Sequence, residues 1–251
     1  MARFHHARRA TATGGPMLQG SVLQGPVLQG PVPGRRGRAR FVAPGRSPHR
    51  VRPSVARSRV VEVVTVLVGS VAALREVRRE DLSVFHGVLG TDPAFHAQVM
   101  LEPWVPTTVA VAQARYDAGL AKEPDPRAPV QFTVQSATDT AGRCLGWGTL
   151  WGIDLHQRIA HLGVGRIPAG RGRGLGLDAV RLLCRYAFEV RDLHRVGLET
   201  FATNEPMRRT ALAAGFTEEG VLRESGYSMG ERVDEVLYGL LRSDWKAAQA
   251  G

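Results

Sequence analysis

The sequence RGRGLGLDAV, residues 171–180, decides the fold because it joins a glycine-rich turn directly to an amphipathic helix. Glycines occupy positions 172, 174 and 176, and Arg171 and Arg173 alternate with them. One apolar line of the helix is formed, at helical spacing, by Leu175, Ala179, Leu182, Tyr186 and Val190. The N–H groups of a first helical turn lack intrahelical partners, and glycines let an anion approach them closely. The stretch therefore predicts a site for a phosphate or a diphosphate.

Two better-known phosphate-binding loops do not fit this stretch. In the dinucleotide pattern G-x-G-x-x-G the last glycine would fall on Leu175 or Leu177, and a P-loop would require a lysine that is absent. The pattern present is R-x-x-G-x-G, formed by Arg171, Gly174 and Gly176. A tight strand–helix turn that binds no ligand is the structural alternative.

The charge of the chain is distributed unevenly. The formal net charge is +10, but residues 1–60 hold 12 of the 33 basic residues and none of the 23 acidic ones, so residues 61–251 carry a net charge of −2. The first 60 residues are rich in Arg, Gly and Pro and are predicted to be a disordered tail, followed by one domain over residues 61–247. Two alternatives stay open for the tail: it binds RNA through its arginines, or translation begins later, near Val64 or Val66.

Cysteines, metal ligands and membrane segments offer little further chemistry. Cys144 and Cys184 are the only cysteines and are predicted to be reduced thiols, and no spacing of histidines and cysteines suggests a metal site. The apolar run over residues 60–74 is interrupted by Glu62 and is shorter than the ~20 residues that a bilayer requires. We therefore predict a cytoplasmic protein with no metal and no membrane partner.

The remaining periodicity predicts an α/β domain with a mixed sheet. A hairpin is predicted at 65–77, helices at 79–89 and 107–121, irregular structure at 92–106, and a loop at 123–129. Strands are predicted at 130–137, 143–153, 158–167 and 194–203, and helices from the glycine loop to about 190 and at 205–214. Two antiparallel strands, 215–225 and 232–241, complete the domain.

Four segments together resemble the GNAT superfamily of acyl-CoA N-acyltransferases. They are LREVRREDL (74–82), IAHLGVGRIPAGRGRGLG (159–176), TNEPMRRTALAAGF (203–216) and GLLRSDW (239–245). The resemblance covers about residues 63–247 and is strongest to the ribosomal-protein N-terminal acetyltransferases, the RimJ/RimL-like group. It implies an α/β GNAT fold: a mixed, mostly antiparallel sheet that is splayed between its fourth and fifth strands and has helices on both faces.

The resemblance also implies acetyl-CoA as co-substrate and assigns residues to it. The diphosphate is expected on the loop amides, those of Arg171, Gly172, Arg173, Gly174, Leu175 and Gly176. The pantetheine is expected to run like an extra strand beside Gly165 and Ile167, in the gap after the fourth strand. Asn204 matches a family asparagine beside the cofactor, although an N-cap for the following helix is an equally sound interpretation.

The catalytic side chains depart from the family pattern. Many members have a tyrosine where this chain has Ala211, and others a serine where it has Met207, so neither usual acid is present. We predict His161 as general base, because it stands at a strand position that serves as base in some relatives. Tyr227 is predicted to bind the acceptor or act as acid, and His156 is a further candidate base. Glu199 is expected to be exposed rather than catalytic.

These observations favour an N-acetyltransferase that acts by direct attack of an amine in a ternary complex. The acceptor is either a protein N-terminus or a small-molecule amine. Because the tyrosine and serine are missing, a second interpretation stays open: a regulatory protein that binds acyl-CoA but catalyses no reaction. A nucleic-acid-tethered enzyme would use the arginine-rich tail. A homodimer is also consistent with the resemblance, because relatives are often dimers.

Overall fold

The computed structural model describes residues 65–100 and 102–250. The predicted disordered tail, residues 1–60, lies outside the described residues. Within the described ranges, eight strands form one sheet, flanked by six α-helices. No helix of these ranges is long and apolar enough to cross a membrane.

The strands include every one that the sequence predicts. They are β1 (Thr65–Val68), β2 (Ala72–Glu76), β3 (Val130–Ser136), β4 (Gly146–Asp154), β5 (Ile159–Arg166), β6 (Arg195–Phe201), β7 (Thr217–Ser228) and β8 (Glu231–Leu241). The helices are α1 (Asp81–Leu89), α2 (Pro93–Val99), α3 (Val109–Leu120), α4 (Leu175–Arg185), α5 (Glu205–Ala213) and α6 (Arg242–Ala250). A 3-10 turn at Pro168–Gly170 precedes α4, and a π-helical turn at Tyr186–Val190 follows it.

The sheet has the order β1-β2-β3-β4-β5-β6-β8-β7. Every neighbouring pair is antiparallel except β5 and β6, which run parallel. The connection between these two strands contains the glycine loop and α4, as a parallel pair requires a crossover. The predicted mixed, mostly antiparallel sheet is therefore confirmed.

Helices cover both faces of the sheet, as predicted, and β4 shows how the faces divide. A Cβ on Gly148 would lie 2.8 Å from Leu183 of α4, which places α4 against this face. The neighbouring Trp147 points to the other face and packs edge-on against Phe85 of α1 and Phe95 of α2, with ring centroids 5.6 and 6.3 Å apart. The main apolar core lies on the α4 face, and a smaller cluster around Trp147 lies on the opposite face.

Two helices differ from the sequence prediction. The segment 92–106, predicted to be irregular, forms α2 over Pro93–Val99. Asp92 caps this helix by accepting a hydrogen bond from the Phe95 N–H at 2.9 Å, and Pro93 occupies the first turn, where its missing N–H costs nothing. The prediction missed this helix because it is only 7 residues long and buries no residue completely. The C-terminal helix α6, which was not predicted, packs through Trp245 onto Phe188.

A buried ion pair connects β2 to α1 and holds α1 on the sheet. Arg75 and Asp81 are 1% and 3% exposed, and the guanidinium donates two hydrogen bonds of 2.7 Å to the carboxylate. The carboxylate also accepts hydrogen bonds from the Arg78 N–H and the Thr133 hydroxyl. Burial alone would raise the pKa of Asp81, but these hydrogen bonds outweigh burial and hold the pKa below its usual value.

Replacing Asp81 with alanine leaves the Arg75 guanidinium buried without its counterion. We expect the free energy of unfolding at neutral pH to fall by about 3–5 kcal/mol, measured by urea denaturation. Because the folded pKa of Asp81 is depressed, the contribution is complete above the ordinary value of 3.8 and is lost as the pH falls through the lower folded value. The difference between the variant and the parent protein therefore shrinks in acid.

Asp117→Ala is the matched control for this variant. It removes the partner of Arg79 from an ion pair in which both side chains are about half exposed. Such a pair contributes at most about 1 kcal/mol. Equal losses of stability in the two variants would contradict the proposed importance of burial.

Candidate active site

The sheet opens into a gap between β5 and β6, as predicted. The two strands pair at only three positions, Ile159–Arg195, Ala160–Val196 and His161–Gly197. Both strands then continue, β5 to Arg166 and β6 to Phe201, without pairing to each other. Their facing backbone groups are left free for another extended chain.

The free edge of β5 is formed by the backbone groups of alternate residues. The Ile167 N–H donates to the Leu145 carbonyl at 3.2 Å, so it points to the β4 side and not into the gap. Since backbone groups alternate in direction along a strand, those of Leu162, Val164 and Arg166 face the gap. That the pantetheine runs beside Gly165 and Ile167 stays a prediction, and the backbone groups of β5 available to pair with it are those of these three residues.

Gly165 has a packing role. A Cβ on Gly165 would lie 2.0 Å from the ring of Trp147, its cross-strand partner on β4. The indole therefore occupies the space above Gly165, and no other residue fits at this position. This contact keeps β5 tightly paired with β4 while it separates from β6.

The glycine loop has the geometry that the sequence predicts for an anion site. Gly172 and Gly174 have φ values of +75° and +72°, a left-handed conformation that glycine adopts without strain. Gly174 is the N-cap of α4, and no side chain caps the helix. The first intrahelical bond runs from the Asp178 N–H to the Gly174 carbonyl, which leaves the amides of residues 175–177 without a partner among the described residues.

Arg166 adds a positive charge to this loop. The sequence did not predict this contribution. A Cβ on Gly176 would lie 2.9 Å from the Arg166 guanidinium, so this cation rests on the first turn of α4. Burial, and secondly the charge of Arg171, lower the pKa of Arg166, and no acidic side chain of the described residues pairs with it. Two cations thus lie at a helix N-terminus, and the one carboxylate of its first turn, Asp178, is engaged by the Val71 and Ala72 amides; this arrangement favours an anion.

Asp178 fixes the position of the loop. Its carboxylate accepts hydrogen bonds from the Val71 and Ala72 N–H groups at 2.7 and 2.8 Å. The same carboxylate fills the space beside Gly69, where a Cβ would lie 2.6 Å from it. The first turn of α4 is thereby tied to the turn between β1 and β2.

A cleft lies across the gap on the sheet face of Trp147. It is lined by Ala97, Gln98, Val99, Met100, Trp147, Thr149, Trp151, Leu162, Gly163, Val164, Leu198, Glu199, Thr200, Phe201, Asn204, Met207 and Glu235. The end of α2 supplies one wall, so the segment that the sequence analysis predicted to be irregular contributes directly to this cleft. Both free strand edges open into it.

Asn204 and the two departures from the family pattern lie at or near this cleft. Asn204 is the N-cap of α5. Its side-chain oxygen accepts a hydrogen bond from the Met207 N–H at 3.3 Å, and its side-chain NH2 donates one to the Thr200 hydroxyl at 3.0 Å. The N-cap interpretation is therefore confirmed, while the side chain also lines the cleft. Met207 lines the cleft but has no proton to donate, and Ala211 is fully buried in the core.

His161 lies where the gap begins, with Glu199 beside it. The His161 Nδ1 and Glu199 Oε1 atoms are 2.9 Å apart, and the two side chains are 29% and 31% exposed. Glu199 is exposed, as predicted, and its side chain lines the cleft. Alternation along a strand predicts its face correctly but not its neighbour on the adjacent strand.

The other predicted side chains lie away from the cleft. Tyr227 is 61% exposed near the tip of the β7–β8 hairpin, where the Arg232 guanidinium lies 5.6 Å from its ring centroid. Tyr227 does not line the cleft, and its role in binding the acceptor or as acid stays a prediction. His156 lies in an exposed turn and does not line the cleft. Burial raises the pKa of the Cys184 thiol, which disfavours its thiolate form.

A family model described as an acetyltransferase (GNAT) domain matches residues 72–217. The chain belongs to the GNAT acetyltransferase family. The matched residues run from β2 into the start of β7 and include the glycine loop, the gap and every lining residue of the cleft except Glu235. Membership accounts for the splayed sheet and for the free helix N-terminus that faces it.

Known proteins agree with this assignment. The chain is 34% identical over 105 residues to the provisionally named ribosomal N-acetyltransferase YdaF of Bacillus subtilis (strain 168), covering 42% of this chain and 57% of that protein. It is 32% identical over 86 residues to the uncharacterized N-acetyltransferase YoaA of the same organism, covering 34% and 49%. The matches thus span about half the length of these relatives, and YdaF supports the predicted resemblance to the RimJ/RimL-like group.

A solved structure gives an independent view of the fold. The spermidine N-acetyltransferase from Vibrio cholerae, crystallised with CoA and spermine, superposes with a TM-score of 0.61 at 22% identity over 70% of this chain and 98% of that one. At this level of identity the similarity establishes the fold alone.

Proposed function

We propose that the protein transfers an acetyl group from acetyl-CoA to a primary amine, by direct attack of the amine. The observation that carries the proposal is the gap between β5 and β6, which has the unpartnered N-terminus of α4 at one end and the cleft along its length. An extended carrier with an anionic end and a reactive end fits this arrangement. CoA has that shape, and members of the family use it.

The residues of the chain fit CoA in two regions. The diphosphate would bind the amides at residues 171–176, with Arg166 and Arg171 supplying charge. The pantetheine would pair with the free backbone groups of Leu162, Val164 and Arg166, and Asn204 would flank it. The thioester would then lie near Gly163, where the absence of a side chain leaves the cleft open.

The chain supplies few side chains to the chemistry, and few are needed. An α-amine with a pKa of about 7.7–8.0 is partly neutral near pH 7, and holding it against the thioester provides much of the rate. A gap-facing N–H of β5 donates to the thioester oxygen as charge develops there. As the C–S bond breaks, the sulfur leaves as a thiolate without a side-chain acid, since Met207 and Ala211 offer none, and a thiol of pKa about 8.5 makes this tolerable. The proton that the amine loses passes to solvent, and the thiolate takes up a proton from it.

The cleft favours a cationic acceptor. Two carboxylates, Glu199 and Glu235, line it together with the indole rings of Trp147 and Trp151. This combination of anionic and aromatic groups recognises an ammonium. A protein N-terminus and a small-molecule amine both carry an ammonium group. The name of YdaF refers to a ribosomal acceptor, and that of the Vibrio cholerae enzyme to a small-molecule amine, spermidine.

An idle acyl-CoA-binding regulator is the second candidate, favoured by the missing acid at Met207 and Ala211. Both candidates bind CoA, but only the enzyme consumes acetyl-CoA. The first experiment therefore incubates the full chain with acetyl-CoA and, separately, spermidine, a peptide with N-terminal alanine, and cell extract. We expect free CoA to be released and mass spectrometry to detect a gain of acetyl groups on amines. CoA binding without release under all three conditions would support the regulator.

Replacing Gly174 with alanine tests the loop as the diphosphate site. A Cβ at a φ of +72° strains the helix cap and displaces the free amides, so we expect the affinity for CoA in calorimetry to fall at least about tenfold. Gly230→Ala is the matched control, because Gly230 has a φ of +97° in a turn distant from the loop. It should lower stability by a similar ~1–3 kcal/mol and leave CoA affinity unchanged. Equal CoA affinities in the two variants would refute this placement of the diphosphate.

Replacing Arg166 with glutamine tests the cation that the sequence analysis missed. Loss of a charge-assisted contact with the diphosphate should weaken CoA binding about ten- to a hundredfold. The same loss is expected with 3′-dephospho-CoA, which retains the diphosphate, and no loss with pantetheine, which lacks it. Arg143→Gln, at an exposed position, is the control. A loss that appears with CoA but not with 3′-dephospho-CoA would assign Arg166 to the ribose phosphate instead.

A further inference from the structure

Helix α2 crosses the gap on the sheet face of Trp147. On one side of the gap it contacts β5, and its Phe95 ring packs edge-on against Trp147 of β4, with ring centroids 6.3 Å apart. On the other side it contacts β6 and β7. Its last residues, from Ala97 to Val99, line the cleft. The helix therefore touches both halves of the divided sheet.

Arg171 connects this helix to the glycine loop. The carbon of its guanidinium lies over the Phe95 ring, 5.8 Å from the ring centroid. This distance is within the ~6 Å at which an aromatic face attracts a cation. Among the described residues, no carboxylate forms an ion pair with Arg171. The ring of Phe95 thus restricts a cationic side chain that is otherwise exposed.

This contact leaves the donors of the guanidinium available to an anion. The group is planar and its N–H bonds point outward in the plane, so a ring that covers one face leaves the edge free. Burial and, second, the charge of Arg171 lower the pKa of Arg166, so the two cations lie near each other at the start of α4. An exposed arginine loses rotamer freedom when it binds a phosphate. Phe95 has already removed part of that freedom.

We propose that Phe95 is the positioning residue that holds Arg171 for the diphosphate, and that the bound diphosphate in turn holds α2 across the gap. Arg171 donates to the phosphate oxygens through its edge while its face stays on Phe95. The helix can respond to this contact because it is only 7 residues long and buries no residue completely. The same contact then fixes one wall of the cleft. This inference rests on the proposed function.

Phe95→Leu tests the proposal in the full chain, by calorimetry with CoA. Leucine keeps apolar volume against Trp147 but has no aromatic face, so we expect the affinity for CoA to fall about two- to fivefold. Arg171→Gln should lower the affinity by at least as much. The double variant should bind CoA no more weakly than Arg171→Gln, because the ring acts through the guanidinium.

Pantetheine, which lacks the diphosphate, separates this role from a purely structural one. Phe95→Leu should bind pantetheine as the parent protein does. An equal loss of affinity for pantetheine and for CoA, or additive losses in the double variant, would show that Phe95 acts on the cleft and not through Arg171.

Phe85→Leu is the matched control. Phe85 packs on the same Trp147 ring from α1, with ring centroids 5.6 Å apart, whereas Arg171 lies over Phe95. Because Phe85 is only 7% exposed, the control should unfold at a lower urea concentration and leave the affinity for CoA unchanged. If both leucine variants lost the same affinity for CoA, packing on Trp147 would explain the effect and Phe95 would have no special role.

Hydrogen exchange tests the hold on α2 and does not depend on activity. Saturating CoA should slow the exchange of the α2 amides in the parent protein, and this protection should shrink in Phe95→Leu and Arg171→Gln at saturation. Equal protection in all three proteins would overturn the second half of the proposal. A parent protein that binds CoA without acetyl transfer would refute the proposed function alone, and one that binds no CoA would refute both.

Discussion

The short parallel ladder between β5 and β6 is the constraint on which the rest of the structure depends. Three residue pairs hold the two halves of the sheet together, and the strands then diverge. Two additional pairs would close the place where a thioester could enter, because Gly163 and Glu199 would then face each other across a hydrogen-bonded ladder. With fewer pairs, the strands of the two halves would lose backbone pairing that helps to set their relative position. Both the proposed binding and the proposed chemistry follow from where this ladder ends.

Glycines determine where the ladder ends by making room for large rings. The indole of Trp147 lies over Gly165 and keeps β5 on β4 past the last pair with β6. The imidazole of His161 lies beside Gly152 and Gly197 at the last pair itself. In both cases a bulky side chain on one strand occupies the space that a neighbouring strand leaves empty. The strand directions are therefore set by packing on both sides of the gap.

Much of this arrangement could be predicted from the sequence, because it depends on local patterns. The alternation of apolar residues predicted all eight strands, and the glycine loop at residues 171–176 predicted the free start of α4. The short helix α2 was missed because its stability comes from a cap at Asp92 and from packing rather than from a long periodic pattern. The features that escaped prediction are those fixed by contacts between distant segments.

Among the site residues, too, those set by local patterns were predicted and those set by contacts between distant segments were not. Arg166 could not be recognised because only the fold places its guanidinium on Gly176, ten residues away along the chain. Which backbone groups of β5 face the gap could not be predicted, because the phase of a strand depends on its partner, here through the Leu145 carbonyl. Glu199 was correctly expected to be exposed, but its neighbour His161 comes from another strand. Sequence patterns therefore predicted the faces of the strands better than the pairs between them.

The carboxylate of Asp178 has a consequence for how the loop can vary. Its negative charge lies in the first helical turn, where it would oppose an incoming anion, but the Val71 and Ala72 amides engage it on the side of the β1–β2 turn. The outermost hairpin of the sheet thus serves as an anchor for the anion-binding turn. Because the anchor lies outside the glycine segment, residues such as Arg173 are free to change while the backbone amides stay in place.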